Sequence, residues 1–466
     1  MKWPQKKYSL SRKKRVQILK KAFYNVFYLP SEAVYLDLLT DSGTGKMSDK
    51  QWKALCDGDE SYAGSRGARK LKHSIKELFG LPYVLLVHQG RAAENVFGNV
   101  IQKEKGMLIL GNTPFDTTRL HIESRGGIII DCTDQMPLKP LVNFSRRPLF
   151  AGNLNTVKLN KELIVAKSQG KKIAYILMTA TCNSNAGQPV SLSNIRLTCK
   201  IARKYKVPVF LDLARYAENA FFIKSCEKEF SHLSVKEIVR EMTKEADGFL
   251  ASGKKDALGN IGGFIGLRSP ELTDKLIGEI IKCEGLDLEY TSNKGNHDQV
   301  GGYGGMSGRD MEALNQGIQE STNEAYLASR LAQVERLTKA LFNIGIPVLP
   351  PGGHAVFVDA GSFLPHIPWN EFPGHALTLA LYLEGGIRAV EVGSLMLGRD
   401  PLSSKNRRAS QELTRLAIPR RLYSDRALKH VVETFKIIRS KADKIKGVKI
   451  KLEPVPRHFR GAFEWK

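Results

Sequence analysis

The chain reads as an α/β protein: a large domain on a mostly parallel sheet, joined to a smaller α+β domain. Two observations predict this. Short runs that are almost wholly apolar, Ile173–Ala180, Val207–Leu211, Gly248–Ala251 and Gly262–Leu267, have the composition of strands buried on both faces. Between the first two lies Ser191–Tyr205, with Ile195, Leu197, Ile201 and Ala202 at helical spacing and Ser191 or Ser193 as a cap. Strand, helix, strand in that order builds a parallel sheet with helices on both sides. Ligands bind such sheets beyond the carboxyl ends of the strands. Those ends carry Asn183, Asp212 with Arg215, and Ser252 with Lys254 and Lys255.

Each remaining element follows from pattern. The spacing predicts one long helical stretch, Arg309–Ile344, then a Pro/Gly break at Pro347–Pro351. Strands at His354–Asp359 and Leu413–Ile418 and helices at Ala376–Leu383 and Leu428–Ser440 make the smaller domain. The expected division is an N-terminal arm over 1–40 that joins the small domain, a large domain over 41–325, and the small domain over 326–466.

Composition narrows the class. The 466 residues are 42% hydrophobic and 25% charged, ordinary for a globular chain and wrong for a disordered or fibrous one. The six cysteines are scattered without a CxxC or CxxH pair, so neither a disulfide scaffold nor a zinc site is indicated, and a reducing, cytoplasmic setting is expected. The longest apolar run, Ile173–Met178, is far short of the ~18–20 residues that span a bilayer. The N-terminus has no apolar stretch of the secretory kind. The net charge of +24 and the cluster Arg12-Lys13-Lys14-Arg15 admit a nucleic-acid reading. Against it, no aromatic residues interleave with the basic ones, and a solvated helical arm is the ordinary reading of such a cluster.

The chemistry is carried by a constellation whose parts are weak alone. Lys254-Lys255 follows a strand; a lysine there can form an imine with an aldehyde cofactor, and a neighbouring cation helps keep its amine deprotonated. Asp212 closes the preceding strand, where a carboxylate can pair with a pyridinium nitrogen. His88-Gln89-Gly90-Arg91 follows the apolar Tyr83–Val87, and a glycine at a helix start lets backbone N–H groups approach a phosphate. Phosphate turn, Asn, Asp and Lys in that order point to pyridoxal phosphate.

Longer segments then carry a resemblance. LLTDSGTG (Leu38–Gly45), GDESYAGSR (Gly58–Arg66), HQGRAAEN (His88–Asn95), GNTPFDTTR (Gly111–Arg119), SGKKDALGNIGGF (Ser252–Phe264), VEVGSLMLGRDP (Val390–Pro401) and RLAIPRRLY (Arg415–Tyr423) resemble the tryptophanase and tyrosine phenol-lyase family. These β-eliminating lyases use pyridoxal phosphate on a fold-type I, aspartate aminotransferase-like scaffold. The resemblance implies Lys255 as the Schiff-base lysine, Asp212 at the pyridinium nitrogen and Phe115 stacked on the ring. Gln89, Gly90, Arg91, Ser252 and Lys254 would cradle the phosphate, and Asn183 and Arg215 would contact the phenolic oxygen. Arg415 would clamp the substrate carboxylate with Thr40, and Tyr62 would act as a general acid from a neighbouring subunit. Potassium or another monovalent cation would sit at Gly43, Glu60 and Asn260 in a homo-oligomer, a dimer at least and by expectation a tetramer. No membrane and no specific nucleic-acid partner are implied.

The implied reaction is β-elimination through a lysine aldimine and a quinonoid. Its leaving group is read at a few positions of the resemblance. Asp116 stands where phenol-lyases have Thr, Val392 where they have an Arg for the phenolic oxygen, and His458 where they have Phe. All agree with tryptophan as substrate and indole, pyruvate and ammonium as products. Tyrosine phenol-lyase, or another amino-acid β-lyase, is the close alternative, and a basic nucleic-acid-binding protein on the same fold the remote one. The chain departs from the family in the long loop Leu286–Val300, in Ala186 where Gly is usual, and in its +24 charge.

Overall fold

The computed structural model describes residues 10–133, 138–146, 148–285, 305–400 and 403–466. The loop Leu286–Val300, with Asn293, Asn296, His297 and Asp298, lies outside them. The chain divides into two compact units.

One unit, drawn from Ser42–Gln135 and Leu149–Leu331, is built on a seven-stranded sheet. Its strands are β1 (Tyr83–Val87), β2 (Leu108–Gly111), β3 (Ile128–Asp131), β4 (Ile173–Thr179), β5 (Val209–Asp212), β6 (Gly248–Ser252) and β7 (Gly263–Leu267). The order across the sheet is β1-β7-β6-β5-β4-β2-β3. Adjacent strands are parallel except β7, which is antiparallel to both neighbours. The mostly parallel sheet read from the sequence is therefore what forms.

Period-two alternation explains why its strands are apolar throughout. Val84 and Leu86 enter one core cluster, and Leu85 and Val87 enter the other. Ile176 with Met178 and Tyr175 with Leu177 divide in the same way. Each fully buried side chain of this kind contributes about 1.5–3 kcal/mol of transfer free energy. The helix predicted over Ser191–Tyr205 spans Leu192–Lys204, and Ser191 is its cap: Ser191 Oγ accepts from Asn194 N at 3.1 Å.

The other unit, drawn from Met1–Asp41, Met136–Pro148 and Ala332–Lys466, is α+β. A three-stranded antiparallel sheet has β8 (Ala355–Asp359), β9 (Val390–Val392) and β10 (Leu413–Ala417) in the order β9-β10-β8. The helix Pro373–Gly385 is buried along almost its whole length in this unit's core.

Two expectations are corrected. The long helical stretch over Arg309–Ile344 forms with an interruption, as two helices, Gly308–Ser321 and Glu324–Asn343. The break falls at Thr322-Asn323 because Asn323 turns outward as a cap: its Oδ1 accepts from Tyr326 N at 2.9 Å. The basic cluster near the N-terminus is not simply solvated. It lies on the helix Arg12–Lys21, and Arg15 is only 6% exposed. Arg15 donates to the carbonyls of Leu383 (2.8 Å) and Glu384 (3.0 Å), and Arg12 pairs with Glu384. Arg15 thus satisfies carbonyls in the last turn of the helix Pro373–Gly385, where the helix dipole favours positive charge, and Arg12 pairs with a side chain of that same turn. Among the described residues, no helix is long and apolar enough to cross a membrane.

Candidate active site

Parallel strands bring their carboxyl ends to one edge, and the register makes this concrete. Asp212 pairs with Thr179 of β4 and Leu250 of β6. Val87 of β1 and Ser252 of β6 both align on Gly263 of β7. The turn after β1, the loops after β4 and β5, and the lysine loop after β6 therefore open at the same edge.

The turn after β1 leads through Gln89 into the helix Gly90–Ile101 and lies against Ser252. A Cβ on Gly90 would stand 2.8 Å from Ser252 Cβ, and one on Gly263 would stand 2.4 Å from the Gln89 carbonyl carbon. Glycine at both positions lets the backbone approach that closely. Lys254 Nζ donates to Gln89 Oε1 at 3.1 Å, and Lys254 N donates to Ser252 Oγ at 3.3 Å. Burial lowers the Lys254 ammonium below the ordinary lysine range, and the charge of Arg91 lowers it further. Gln89, Gly90, Arg91, Ser252 and Lys254 are thus brought together as a helix start flanked by two cations. That donor set suits a phosphate dianion.

Lys255 lies in the turn after β6. Its Nζ stands 5.4 Å from the centroid of the Phe115 ring. The turn is tied to the Asp212 loop, since Asp256 N donates to Ala214 O (3.3 Å) and Glu218 N donates to Asp256 Oδ2 (2.8 Å). Asp212 Oδ1 accepts from Ala214 N at 3.1 Å, which fixes its carboxylate. Arg215 and Asn183 are buried at the same edge, in the loops after β5 and β4. Phe115 caps the helix Asp116–Ser124, and Asp116 is that helix's first residue. Asn112 holds the approach to Phe115: its Nδ2 donates to Gly152 O (2.8 Å) and Thr179 O (3.0 Å), and its Oδ1 accepts from Thr179 N (2.6 Å).

Glu94 stands on the helix Gly90–Ile101 behind this group. Its carboxyl accepts from Thr117 Oγ1 (2.8 Å) and Thr118 Oγ1 (2.5 Å). Burial pushes it up to about 7, with Asp212 adding to the rise and Lys255 opposing it.

Gly43 and Asn260 also meet. Gly43 N donates to Lys254 O at 2.8 Å, and a Cβ on Gly43 would stand 3.0 Å from Asn260 O. Glu60 is exposed and paired with Arg309 (3.1 Å). Tyr62 is 62% exposed on this chain. Ala186, three residues beyond Asn183, has a φ of +54°, the left-handed region where glycine fits best.

The other unit holds the remaining candidates. Arg415 is buried in the central strand β10, between Phe357 and Val390, and its Nη2 donates to Leu39 O at 3.2 Å, beside Thr40. Val392 ends β9, opposite Leu413. His458 is buried, its ring 4.0 Å from that of Phe459 and 6.2 Å from that of Phe27. Arg457, next to it, donates to the carbonyls of Ser394 (2.6 Å) and Leu395 (2.8 Å), so Val392 and His458 share one bonded framework. Beside Val392, Glu391 and Glu412 are both buried; a Cβ on Gly393 would stand 2.6 Å from an oxygen of each. Burial raises both, and the proximity of Glu412 raises Glu391 further.

Sequence reasoning missed Glu94, Asn112 and the Glu391–Glu412 pair. The signal for Glu94 was a lone carboxylate one turn after Gly90, next in sequence to the buried Ala93. Among the described residues, no cluster of three His, Cys, Asp or Glu could hold a metal.

A profile of the beta-eliminating lyase family matches residues 37–434. A Trichomonas vaginalis protein described as a probable beta-eliminating lyase is 46% identical over 96% of this chain and 94% of its own length. A tyrosine phenol-lyase from a Symbiobacterium species is 41% identical over 97% of this chain and 95% of its own. A tryptophanase from Salinibacter ruber is 42% identical over 96% and 91%. Among solved structures, Bna3p of Saccharomyces cerevisiae matches with a TM-score of 0.62 at 15% identity, over 93% of this chain and 97% of its own. Sphingomonas wittichii serine palmitoyltransferase matches with a TM-score of 0.54 at 12% identity, over 88% of each chain. At such identities these two carry the fold alone, the α/β architecture expected of an aspartate aminotransferase-like scaffold.

Proposed function

The chain belongs to the beta-eliminating lyase family, and from that premise we propose that it is a pyridoxal phosphate-dependent carbon–carbon lyase acting on L-tryptophan. Water and tryptophan would yield indole, pyruvate and ammonium. When bound, pyridoxal phosphate supplies an electron sink that acidifies the α C–H of an attached amino acid.

The residues divide the remaining work. Gln89, Gly90, Arg91, Ser252 and Lys254 would hold the phosphate, and the fit of Gly90 against Ser252 supports this. Lys255 would hold the cofactor through its Nζ, and the same amine would take the substrate's α proton. Asp212 would keep a proton on the ring nitrogen, Phe115 would cover the ring face, and Asn183 and Arg215 would bind its phenolic oxygen. Arg415 would grip the substrate carboxylate through its guanidinium fork, with Thr40 and Asn183 assisting.

A departing indole must be protonated at C3, which requires an acid on that flank. Asp116, Tyr62 and His458 are our candidates. Tyr62's exposure supports its delivery to a partner subunit's site, hence a dimer at least and a tetramer as the expected assembly. The contact of Gly43 with Asn260 supports a monovalent cation there, with Glu60 as its carboxylate. Buried free thiols at Cys132, Cys182 and Cys199 fit a cytoplasmic setting. The use of Arg12 and Arg15 to finish a helix favours the enzyme reading over nucleic-acid binding.

The single observation that carries the choice of indole is the apolar Val392, where phenol-lyases place an arginine. A phenolate leaving beside Val392 would lack its cation, and unpaired buried charge is costly. Tyrosine cleavage is the second reading, favoured by the 41% identity to a tyrosine phenol-lyase. Incubation of the cofactor-loaded protein with tryptophan, tyrosine and an S-alkylcysteine separately, with assays for pyruvate, indole and phenol, tests both. Tryptophan should be split fastest, and Val392→Arg with Asp116→Thr should erode that preference by about 100-fold. A wild-type chain that makes pyruvate only from the S-alkylcysteine contradicts both readings.

A further inference from the structure

Glu94 is assigned no part above, yet it joins two elements that the cofactor reading uses. The helix Gly90–Ile101 begins at the phosphate turn, and the helix Asp116–Ser124 begins under Phe115. Glu94 lies one turn into the first. Thr117 and Thr118 lie in the opening turn of the second, and both are buried. Each carboxyl oxygen of Glu94 takes a different hydroxyl, Oε2 from Thr117 and Oε1 from Thr118. Such a two-point grip fixes rotation as well as distance. Phe115 supplies no side-chain cap of its own to the helix it starts, so this grip is a tertiary restraint on that turn.

We propose that Glu94 is a positioning residue: by holding the Thr117 and Thr118 hydroxyls from the phosphate-turn helix, it sets Phe115 against the cofactor ring and Asp116 against the leaving group. The assignment rests on the reading of the site as a pyridoxal phosphate centre. The same carboxyl lies within the electrostatic reach of Asp212 and Lys255. Its burial favours the protonated form.

The test measures cofactor binding apart from turnover. The apoprotein is titrated with pyridoxal phosphate, and affinity is followed by visible absorbance. Induced circular dichroism of that band reports ring orientation. Glu94→Ala should weaken cofactor binding about tenfold, reduce the induced dichroism by half or more, and lower kcat with tryptophan about 30-fold with KM within threefold. Glu94→Gln, which can still engage both threonines, should restore most of each. Thr117→Val with Thr118→Val should reproduce the alanine phenotype, and combining it with Glu94→Ala should add little, as expected for partners in one interaction. If Glu94→Ala does not fold, the threonine pair decides alone. Variants that bind cofactor with unchanged affinity and dichroism would overturn the assignment while leaving the cofactor reading intact. A wild-type chain that forms no visible band with pyridoxal phosphate would overturn both.

Discussion

The roles proposed for Lys255 and Arg415 differ, and the chain holds the two residues differently. Arg415 lies mid-strand in β10, with β8 and β9 bonded on either side and little freedom to move. Lys255 lies in a turn between strands, fixed through its neighbours: Lys254 O accepts from Gly43 N, and Asp256 N donates to Ala214 O. The contrast matches the two tasks. A carboxylate clamp gains from a rigid guanidinium, because preorganisation removes the entropy cost of binding. The role proposed for Lys255 calls for a backbone that delivers its amine to one place. A third arrangement holds Val392 and His458, which belong to a framework closed by Arg457.

The sharpest break falls on the lysine turn. Lys255→Ala should abolish the visible cofactor band and lower turnover by about 10⁴-fold, the upper range for a positioned acid–base group. Spectra and borohydride trapping check this; an adduct still reducible onto the protein would move the role to Lys254. Asp212→Asn should cost about 10³-fold in kcat, roughly 4 kcal/mol, as expected for losing one preorganised charge contact. Single-turnover kinetics measure it, and near-normal turnover would take Asp212 out of the site.

The framework around Val392 should show itself in stability rather than rate. Burial pushes Glu412 up to about 7. Its folded form binds the proton more tightly than the unfolded chain, so its contribution is complete below the ordinary glutamate range and is lost as pH rises through about 7. Glu412→Gln keeps an acceptor for Ser394 without the charge. It should raise stability at pH 8 by about 1–3 kcal/mol and change it little at pH 4.5. Denaturant unfolding at the two values checks the sign, and equal effects at both would remove the buried-charge explanation. The smallest effect is expected at Ala186, whose φ of +54° strains any side chain. Ala186→Gly should stabilise the large unit by about 1 kcal/mol; a destabilised protein would mean that its Cβ contacts outweigh the strain.

What could be read in advance follows the same division. Strands β4 to β7 were legible because burial on both faces makes them continuously apolar. The placement of Asp212 at a strand end and of Lys255 in the turn after one was legible because each follows a continuously apolar run. The break at Thr322-Asn323 was missed because both flanking helices keep the 3.6-residue pattern, and only the cap geometry of Asn323 divides them. Glu94 was missed because its partners lie 23 and 24 residues away and meet it only when the two helices are folded. The Glu391–Glu412 pair arises across the β9–β10 ladder in the same way. Arg15 looked like surface charge because nothing local reveals that the end of Pro373–Gly385 receives it.

Direct competition tests whether this site expels indole rather than phenol. The cofactor-loaded protein is given equimolar tryptophan and tyrosine, and indole and phenol are quantified together at low conversion, which gives the ratio of kcat/KM values. Indole should exceed phenol by at least about 100-fold, the order expected when a buried phenolate has no cation. Phenol in excess would contradict it, leaving the chain a pyridoxal phosphate lyase with tyrosine as its substrate.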